Sequence, residues 1–303
     1  MTKNNAQVWF ITGSSRGLGR ALALGVLAAG HRVVATARKP ADLDDLVKQY
    51  GDRVKAVALD VTQPDQAVLA VSRAIDAFGR IDVLVNNAGY ANIDSAEDIP
   101  LDDFRAQIDT NFYGVVHVTR AVLPVMRKQR SGRILQISSI GGRRGGTPGL
   151  GAYQAAKFAV AGFSEVVRNE VAHLGIQVTI VEPGGFGTDW AGSSMKIHTT
   201  QPDYEASVGA TNKRLRGNPS AARGVPEKAA KVLLELASME KQPRRLLLGS
   251  DAYVLAKLTL QELGESDDAH RALSASTDAD GLPDFADTDV GREMLKLSRP
   301  PQT

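Results

Sequence analysis

Tyr153 and Lys157, in the run AYQAAKFAV, stand four residues apart in a helical pattern. At that spacing the two side chains share one helix face. A free phenol ionises near about pH 10 and a free lysine near about 10.4, so at neutral pH an ordinary tyrosine is a slow acid and a negligible base. An ammonium held charged beside it stabilises phenolate and lowers the phenol's pKa. Such a pair suits hydride transfer at a carbonyl carbon. The oxygen that becomes an alkoxide needs a proton, and in the reverse direction an alcohol must lose one. The plain alternative is a surface pair on an amphipathic helix, and Tyr-x-x-x-Lys alone does not decide between them.

A second group of residues could hold an anion. Gly13, Gly17 and Gly19 lie between an apolar run, Val8–Thr12, and a helical pattern from Gly17 to Ala29, with Ser15, Arg16 and Leu18 among them. Glycine permits the positive φ of a tight turn and lets backbone approach a ligand closely. The free N–H groups that open a helix then receive a phosphate. At a first strand-to-helix junction this is where a dinucleotide fold places its pyrophosphate. The second strand ends in VVATARKP, which carries no Asp or Glu to accept the hydroxyls of an adenosine ribose. Arg38 follows it, and Arg16 sits in the glycine turn. Two guanidinium groups offer charge-assisted hydrogen bonds to a 2′-phosphate. The expected coenzyme is therefore NADP(H).

The elements that must position these groups are legible from apolar periodicity. Short β-branched runs occur at Val8–Thr12, Arg32–Ala37, Val54–Leu59, Ile81–Val85, Arg133–Ile137, Gln177–Val181 and in RRLLLG at residues 244–249. Near-continuous apolar strands suit a sheet covered on both faces. Helical spacing fills Pro64–Phe78, Leu101–Lys128, Tyr153–Leu174 and Pro226–Met239, and more weakly Ala41–Tyr50. The alternation predicts an α/β fold: a single doubly wound, Rossmann-type domain with about seven parallel strands and helices on both faces. That domain is expected over residues 1–263, with an irregular substrate loop at about 186–224. A polar tail, with one more short helix and then poor order, is expected over 264–303.

Composition narrows the function classes. The chain has 303 residues, 43% hydrophobic and 23% charged, with a net charge of +2. That is the balance of an ordinary globular protein with no nucleic-acid footprint. It has no cysteine, and its five histidines are scattered, so no metal site is expected. No run nears the ~20 apolar residues that span a bilayer, and MTKNNAQ lacks a signal peptide's apolar stretch; a cytoplasmic location is the expectation.

The glycine spacing TGxxxGxG, followed in order by NNAG at Asn86–Gly89, NFYG at Asn111–Gly114, ISS at Ile137–Ser139, YxxxK, and PGGFGTD at Pro183–Asp189, resembles the short-chain dehydrogenase/reductase family over about Val8 to Gly249. SSIGG and LLLGSDA resemble the branch of 17β-hydroxysteroid dehydrogenases. The resemblance implies a catalytic tetrad of Asn111, Ser139, Tyr153 and Lys157. Ser139 would hold the carbonyl oxygen, with Ser138 an equally placed competitor, and Asn111 would anchor a water chain to Lys157. It implies coenzyme contacts by Asp60 at the adenine with Val61 beside it, by Asn87, Ala88 and Gly89 on the adenosine side, by Pro183 and Gly184 where the sixth strand closes, and by Thr188 near the nicotinamide. It also implies a homodimer or homotetramer. Trp190, Met195, Ile197 and Tyr204 could form an apolar substrate wall, with Gly192 and Gly209 allowing movement and Gly145–Leu150 as the opposite rim. A small apolar carbonyl or secondary alcohol is the expected substrate. Two other readings stay open: a non-catalytic dinucleotide-binding regulator, and an epimerase or dehydratase using the same tetrad.

Overall fold

A computed structural model describes residues 6–187, 195–197, 200–217 and 223–297. Among these, seven parallel strands form one sheet: β1 (Val8–Ile11), β2 (Arg32–Ala37), β3 (Val54–Ala58), β4 (Val83–Asn86), β5 (Gly132–Ile137), β6 (Ile176–Pro183) and β7 (Arg245–Leu248). Their spatial order is β3-β2-β1-β4-β5-β6-β7. Strand β1 alternates with period two. Trp9 and Ile11 enter one core with residues of α1 (Gly17–Ala28), α2 (Asp44–Tyr50) and α8 (Pro226–Ser238). Val8 and Phe10 enter the other with α3 (Pro64–Phe78), α5 (Gly114–Gln129) and α6 (Gly151–Val171). All four of these strand side chains are buried, which is why the run reads as continuously apolar.

The strand order reverses between β1 and β4. Ile11 pairs with Ala35 on one side and with Val85 on the other. Connections leaving β1 and β4 therefore diverge, and a crevice opens at the carboxyl ends of these two strands. Thr12 closes its floor. Its N–H donates to the Val85 carbonyl at 3.0 Å, and its Oγ1 accepts from the N–H groups of Asn87 and Ala88 at 2.9 and 3.0 Å.

Three segments differ from the expectation. The helix expected over Leu101–Lys128 is two helices, α4 (Leu101–Ile108) and α5, joined by a wide π-turn at Asp109–Tyr113. Within the turn, Asn111 Nδ2 takes the Gln107 carbonyl, the acceptor four residues back, at 2.8 Å. The helix widens so that the Gly114 N–H reaches Asp109, five residues back. The loop expected over 186–224 contains helical chain at Pro202–Tyr204, Glu205–Gly209 and α7 (Ala210–Gly217), with Val208 buried as its anchor. Where one short helix is expected after residue 264, the chain carries the end of α9 (Ser250–Ala269), then α10 (Arg271–Ala275) and α11 (Asp289–Leu297).

Two compact units divide after Ala256. The first holds the sheet. The second, from Lys257, is helical and leaves Leu263, Leu273, Phe285 and Met294 exposed.

Candidate active site

Helix α6 buries one face of Ala152, Tyr153, Ala156, Lys157, Val160 and Ala161, so the tyrosine and lysine are carried inward by an otherwise small and apolar stripe. Strand β5 ends beside them in Ser138 and Ser139. The two serines have different partners. Ser138 Oγ donates to the Lys157 carbonyl at 3.0 Å and is buried. Ser139 caps the short helix Ile140–Gly142, its Oγ accepting from the Gly141 N–H at 3.0 Å, and hydrogen-bonds the Tyr153 phenol. Ser138 is thus committed to helix backbone, while Ser139 faces the Tyr153 hydroxyl.

Lys157 is buried. Its Nζ donates to the Ile137 carbonyl at 2.9 Å and lies 5.7 Å from the centre of the Tyr153 ring. Asn111 is fully buried, with Oδ1 accepting from the Tyr90 N–H at 3.1 Å and Nδ2 donating to the Tyr90 carbonyl at 2.8 Å. Gly89 joins these groups: a Cβ there would meet Asn111 Oδ1 at 2.5 Å and Lys157 Nζ at 3.5 Å. Asn111 and Lys157 therefore meet at Gly89, and Lys157 in turn lies beside the Tyr153 ring.

The electrostatics depart from the sequence reading. The lysine is expected to lower the tyrosine's pKa. Instead, burial pushes the phenol up to about 12, against the opposing pull of the Ser139 hydrogen bond. Burial also brings the Lys157 ammonium down to about 8. Desolvation wins because both groups lie inside the protein, and the neutral form of each costs less there.

The glycine turn is tightly built. Gly13 has φ +67° and Gly17 +56°, which side chains rarely adopt. Arg16, exposed, stands at the N-cap of α1 with no side-chain cap, and the first helical turn has no acidic residue. Ser15 and Leu18 are half-buried, Leu18 against the first core. Asn87 Nδ2 donates to the Thr12 and Gly13 carbonyls at 3.0 and 3.2 Å and so fastens the β4 loop to this turn. Arg38 is exposed just beyond β2. Asp60 follows β3, with Oδ1 accepting from the N–H and hydroxyl of Thr62 at 3.0 and 2.8 Å. The Val61 carbonyl meets His117 Nδ1 at 3.0 Å. Pro183 ends β6, and the Gly184 N–H donates to the Leu248 carbonyl at 2.9 Å. Thr188, Trp190 and Gly192 lie outside the described residues.

An apolar cluster stands around the phenol: Ala91, Ile93, Leu150, Tyr153, Met195 and Val208, with Ile197 and Tyr204 packed on it. Sequence reasoning names Met195, Ile197, Tyr204 and the Leu150 rim but misses what holds them. Ile93 bridges to Ile197 as parallel strand, its N–H donating to the Lys196 carbonyl at 3.0 Å. Asn92 Oδ1 accepts from the Lys196 N–H at 2.9 Å. Asn92 is itself seated by Gln107 Oε1 at 3.0 Å and by both Asp103 oxygens at 2.8 Å. Tyr204 donates to Glu97 at 2.6 Å. Asn92 stands three residues beyond the NNAG stretch, and no spacing motif marks it. Among the described residues, no group of three or more His, Cys, Asp or Glu could hold a metal, and no helix is long and apolar enough to cross a membrane.

The pattern of the short chain dehydrogenase family matches residues 7–197. The chain belongs to that family. It is 50% identical over 272 residues to oxidoreductase BOA17 of Botryotinia fuckeliana, covering 89% of this chain and 99% of that one. The structure of a short-chain dehydrogenase from Streptomyces avermitilis superposes with a TM-score of 0.84 at 38% identity, over 91% of this chain and 100% of that one. A 3-ketoacyl-(acyl-carrier-protein) reductase from Brucella melitensis, complexed with NADH, matches at 26% identity and a TM-score of 0.67, over 80% and 96% of the two chains. The short chain dehydrogenase pattern thus spans the glycine turn, the serine, the tyrosine and the lysine.

Proposed function

We propose that this oxidoreductase moves a hydride between NADP(H) and a small apolar carbonyl or secondary alcohol, with Tyr153 as general acid and base. The observation that carries the reading is the Tyr153 phenol buried in the apolar cluster, with Ser139 beside it and Lys157 Nζ 5.7 Å from the ring centre. The uncapped start of α1, with no carboxylate in its first turn, fits a pyrophosphate. A bound nicotinamide coenzyme would supply or accept the hydride. Ser139 donates to the substrate oxygen, its own acceptor side being held by Gly141. Tyr153 delivers the proton to that oxygen. Lys157 steadies charge on the phenol and holds the coenzyme's ribose. Pro183 and Gly184 would hold the coenzyme at the end of β6, and Asp60, Val61, Asn87, Ala88 and Gly89 would hold its adenosine side; the contact expected of Thr188 falls outside the described residues. A phenol raised by burial keeps its proton at neutral pH, the form that carbonyl reduction needs. The exposed small face of α6, with Ala155, Phe158 and Gly162, supports assembly into a dimer or tetramer. Action in the cytoplasm completes the reading.

The reading is tested by following NADPH and NADH oxidation against a panel of apolar ketones and aldehydes. NADPH should be preferred, and Arg38→Ala should cut kcat/KM with NADPH by roughly 10- to 100-fold, the loss of one charge-assisted phosphate contact, while barely changing it with NADH. Equal use of both coenzymes defeats the NADP(H) assignment. No substrate-dependent oxidation of either favours the regulator.

The pH profile gives a separate check. Reduction needs a protonated phenol and a charged lysine. Below about 8 both forms are present in the free protein; above it the ammonium goes first, since the phenol holds its proton to about 12. The kcat/KM of reduction should therefore be level up to about pH 8 and decline on the alkaline side. A profile still level at about pH 10, where most Lys157 would be neutral, removes the charge from the mechanism.

A further inference from the structure

A charge cluster built on one buried carboxylate lies between the serine turn and the end of β6, and hydride transfer as described makes no use of it. Glu182, fully buried, is the next-to-last residue of β6. Two arginines from different parts of the chain converge on its carboxylate. Arg143 forks across it, with Nη2 on Oε2 at 2.5 Å and Nε on Oε1 at 3.3 Å. Arg245, on β7, places Nη1 on Oε1 at 2.8 Å. Arg245 Nε continues to Glu165 of α6 at 3.0 Å, and Glu165 also takes Arg244. A carboxylate this deep is tolerable only while its guanidinium partners stay in place, so Glu182 holds Arg143 firmly.

What Arg143 holds in turn is the serine turn. It ends the single helical turn Ile140–Gly142 that starts at Ser139. Within it, the Gly142 N–H donates to the Ser139 carbonyl at 2.9 Å, and the N–H groups of Arg143 and Arg144 donate to the Ile140 carbonyl at 3.0 and 2.8 Å. Two of the three turn residues are glycine, which by itself leaves the backbone free to wander. Only Gly142 of the three is buried; it is pressed against α6, where a Cβ would stand 2.6 Å from both the Lys157 carbonyl oxygen and Ser138 Oγ, so one side of the turn is backed by the helix. The bidentate clamp on Glu182 adds a second constraint, at the C-terminal end of the turn. Because Ser139 Oγ accepts from the Gly141 N–H in that same turn, the clamp also sets where the hydroxyl points.

We propose that Arg143, clamped by the buried Glu182, is a positioning residue that aims the Ser139 hydroxyl at the substrate oxygen and at Tyr153. The inference rests on the reading of Ser139 given above. The test is a double-mutant cycle on full-length enzyme: Arg143→Met, Ser139→Ala and the double variant, with turnover read in single-turnover mode at high enzyme concentration and coenzyme affinity read by NADPH fluorescence. Arg143→Met should lower the rate about 10-fold with coenzyme affinity unchanged, and Arg143→Lys should recover part of it. In the Ser139→Ala background the same change should cost less than about 2-fold, because the group it aims is gone. An equal loss in both backgrounds makes Arg143 a general structural residue and overturns the proposal, as does no loss in the first. Should Arg143→Met fail to fold, Glu182→Gln run through the same cycle gives the same discrimination. If Ser139→Ala alone leaves the rate intact, the catalytic reading of the serine falls first and the inference with it.

Discussion

Tyr153→Phe should lower turnover by about a thousandfold or more while leaving NADPH affinity within about threefold. The phenol oxygen is the only atom removed. The ring stays packed by Ala91, Ile93, Leu150, Met195 and Val208, so the cluster has no cavity to collapse into. The hydroxyl's partner, Ser139, keeps its bond from Gly141 and is not left bare. A lost buried hydrogen bond of this kind is worth about 1 kcal/mol, so the melting temperature should shift by only a few degrees. Steady-state rates with NADPH and any accepted ketone, set beside a fluorescence titration of coenzyme, separate the two quantities. Rate retained within about tenfold would mean that another group delivers the proton, and the helix-face pairing of Tyr153 with Lys157 would then be packing.

The parts of this site that are readable from sequence are those whose logic is local. Val8, Trp9, Phe10 and Ile11 announce a strand buried on both faces, and the structure splits them between two cores. Gly13, Gly17 and Gly19 announce a turn, and two of the three have positive φ. Tyr153 and Lys157 announce a shared face by spacing alone. What stays hidden depends on partners far along the chain. In the sequence Arg143 is marked only by its neighbour Arg144, and the fold alone brings it to Glu182, 39 residues away. Asn92 and Gln107 look like ordinary polar residues until the Lys196 N–H and the Ala91–Ile93 segment are placed around them. Asn111 is a poor helix former inside the expected Leu101–Lys128 helix, but the π-turn that breaks it follows from a side chain that competes for the Gln107 carbonyl. The sign of the Tyr153 shift escapes the sequence for the same reason. Spacing gives the distance to the lysine but not the depth, and depth decides. In the second unit, Val290 and Met294 have helical spacing, yet a polar composition masks it.

Gly19→Ala should be the most damaging single methyl in the chain for coenzyme binding. A Cβ there would stand 2.3 Å from the Gly13 carbonyl oxygen and 2.4 Å from Asn87 Nδ2. Comfortable contact needs about 3.5 Å, so something must retreat by roughly 1 Å. If the start of α1 retreats, its free N–H groups leave the place where a pyrophosphate would sit. If Asn87 retreats, the bonds from Nδ2 to the Thr12 and Gly13 carbonyls go, and the β4 loop bearing Ala88 and Gly89 loses its fastening. Either way the expected result is a loss of NADPH affinity of about 100-fold with a stability cost of about 1–3 kcal/mol. Gly30→Ala is the comparison that separates these effects. Gly30 has φ +87° with nothing within 4 Å of its added methyl, so it strains the backbone between α1 and β2 without touching the turn. Thermal unfolding should fall for both variants, and fluorescence titration should fall for Gly19→Ala alone. If both bind NADPH equally well, the close approach of α1 to residues 12–13 serves packing, and the phosphate must be held elsewhere.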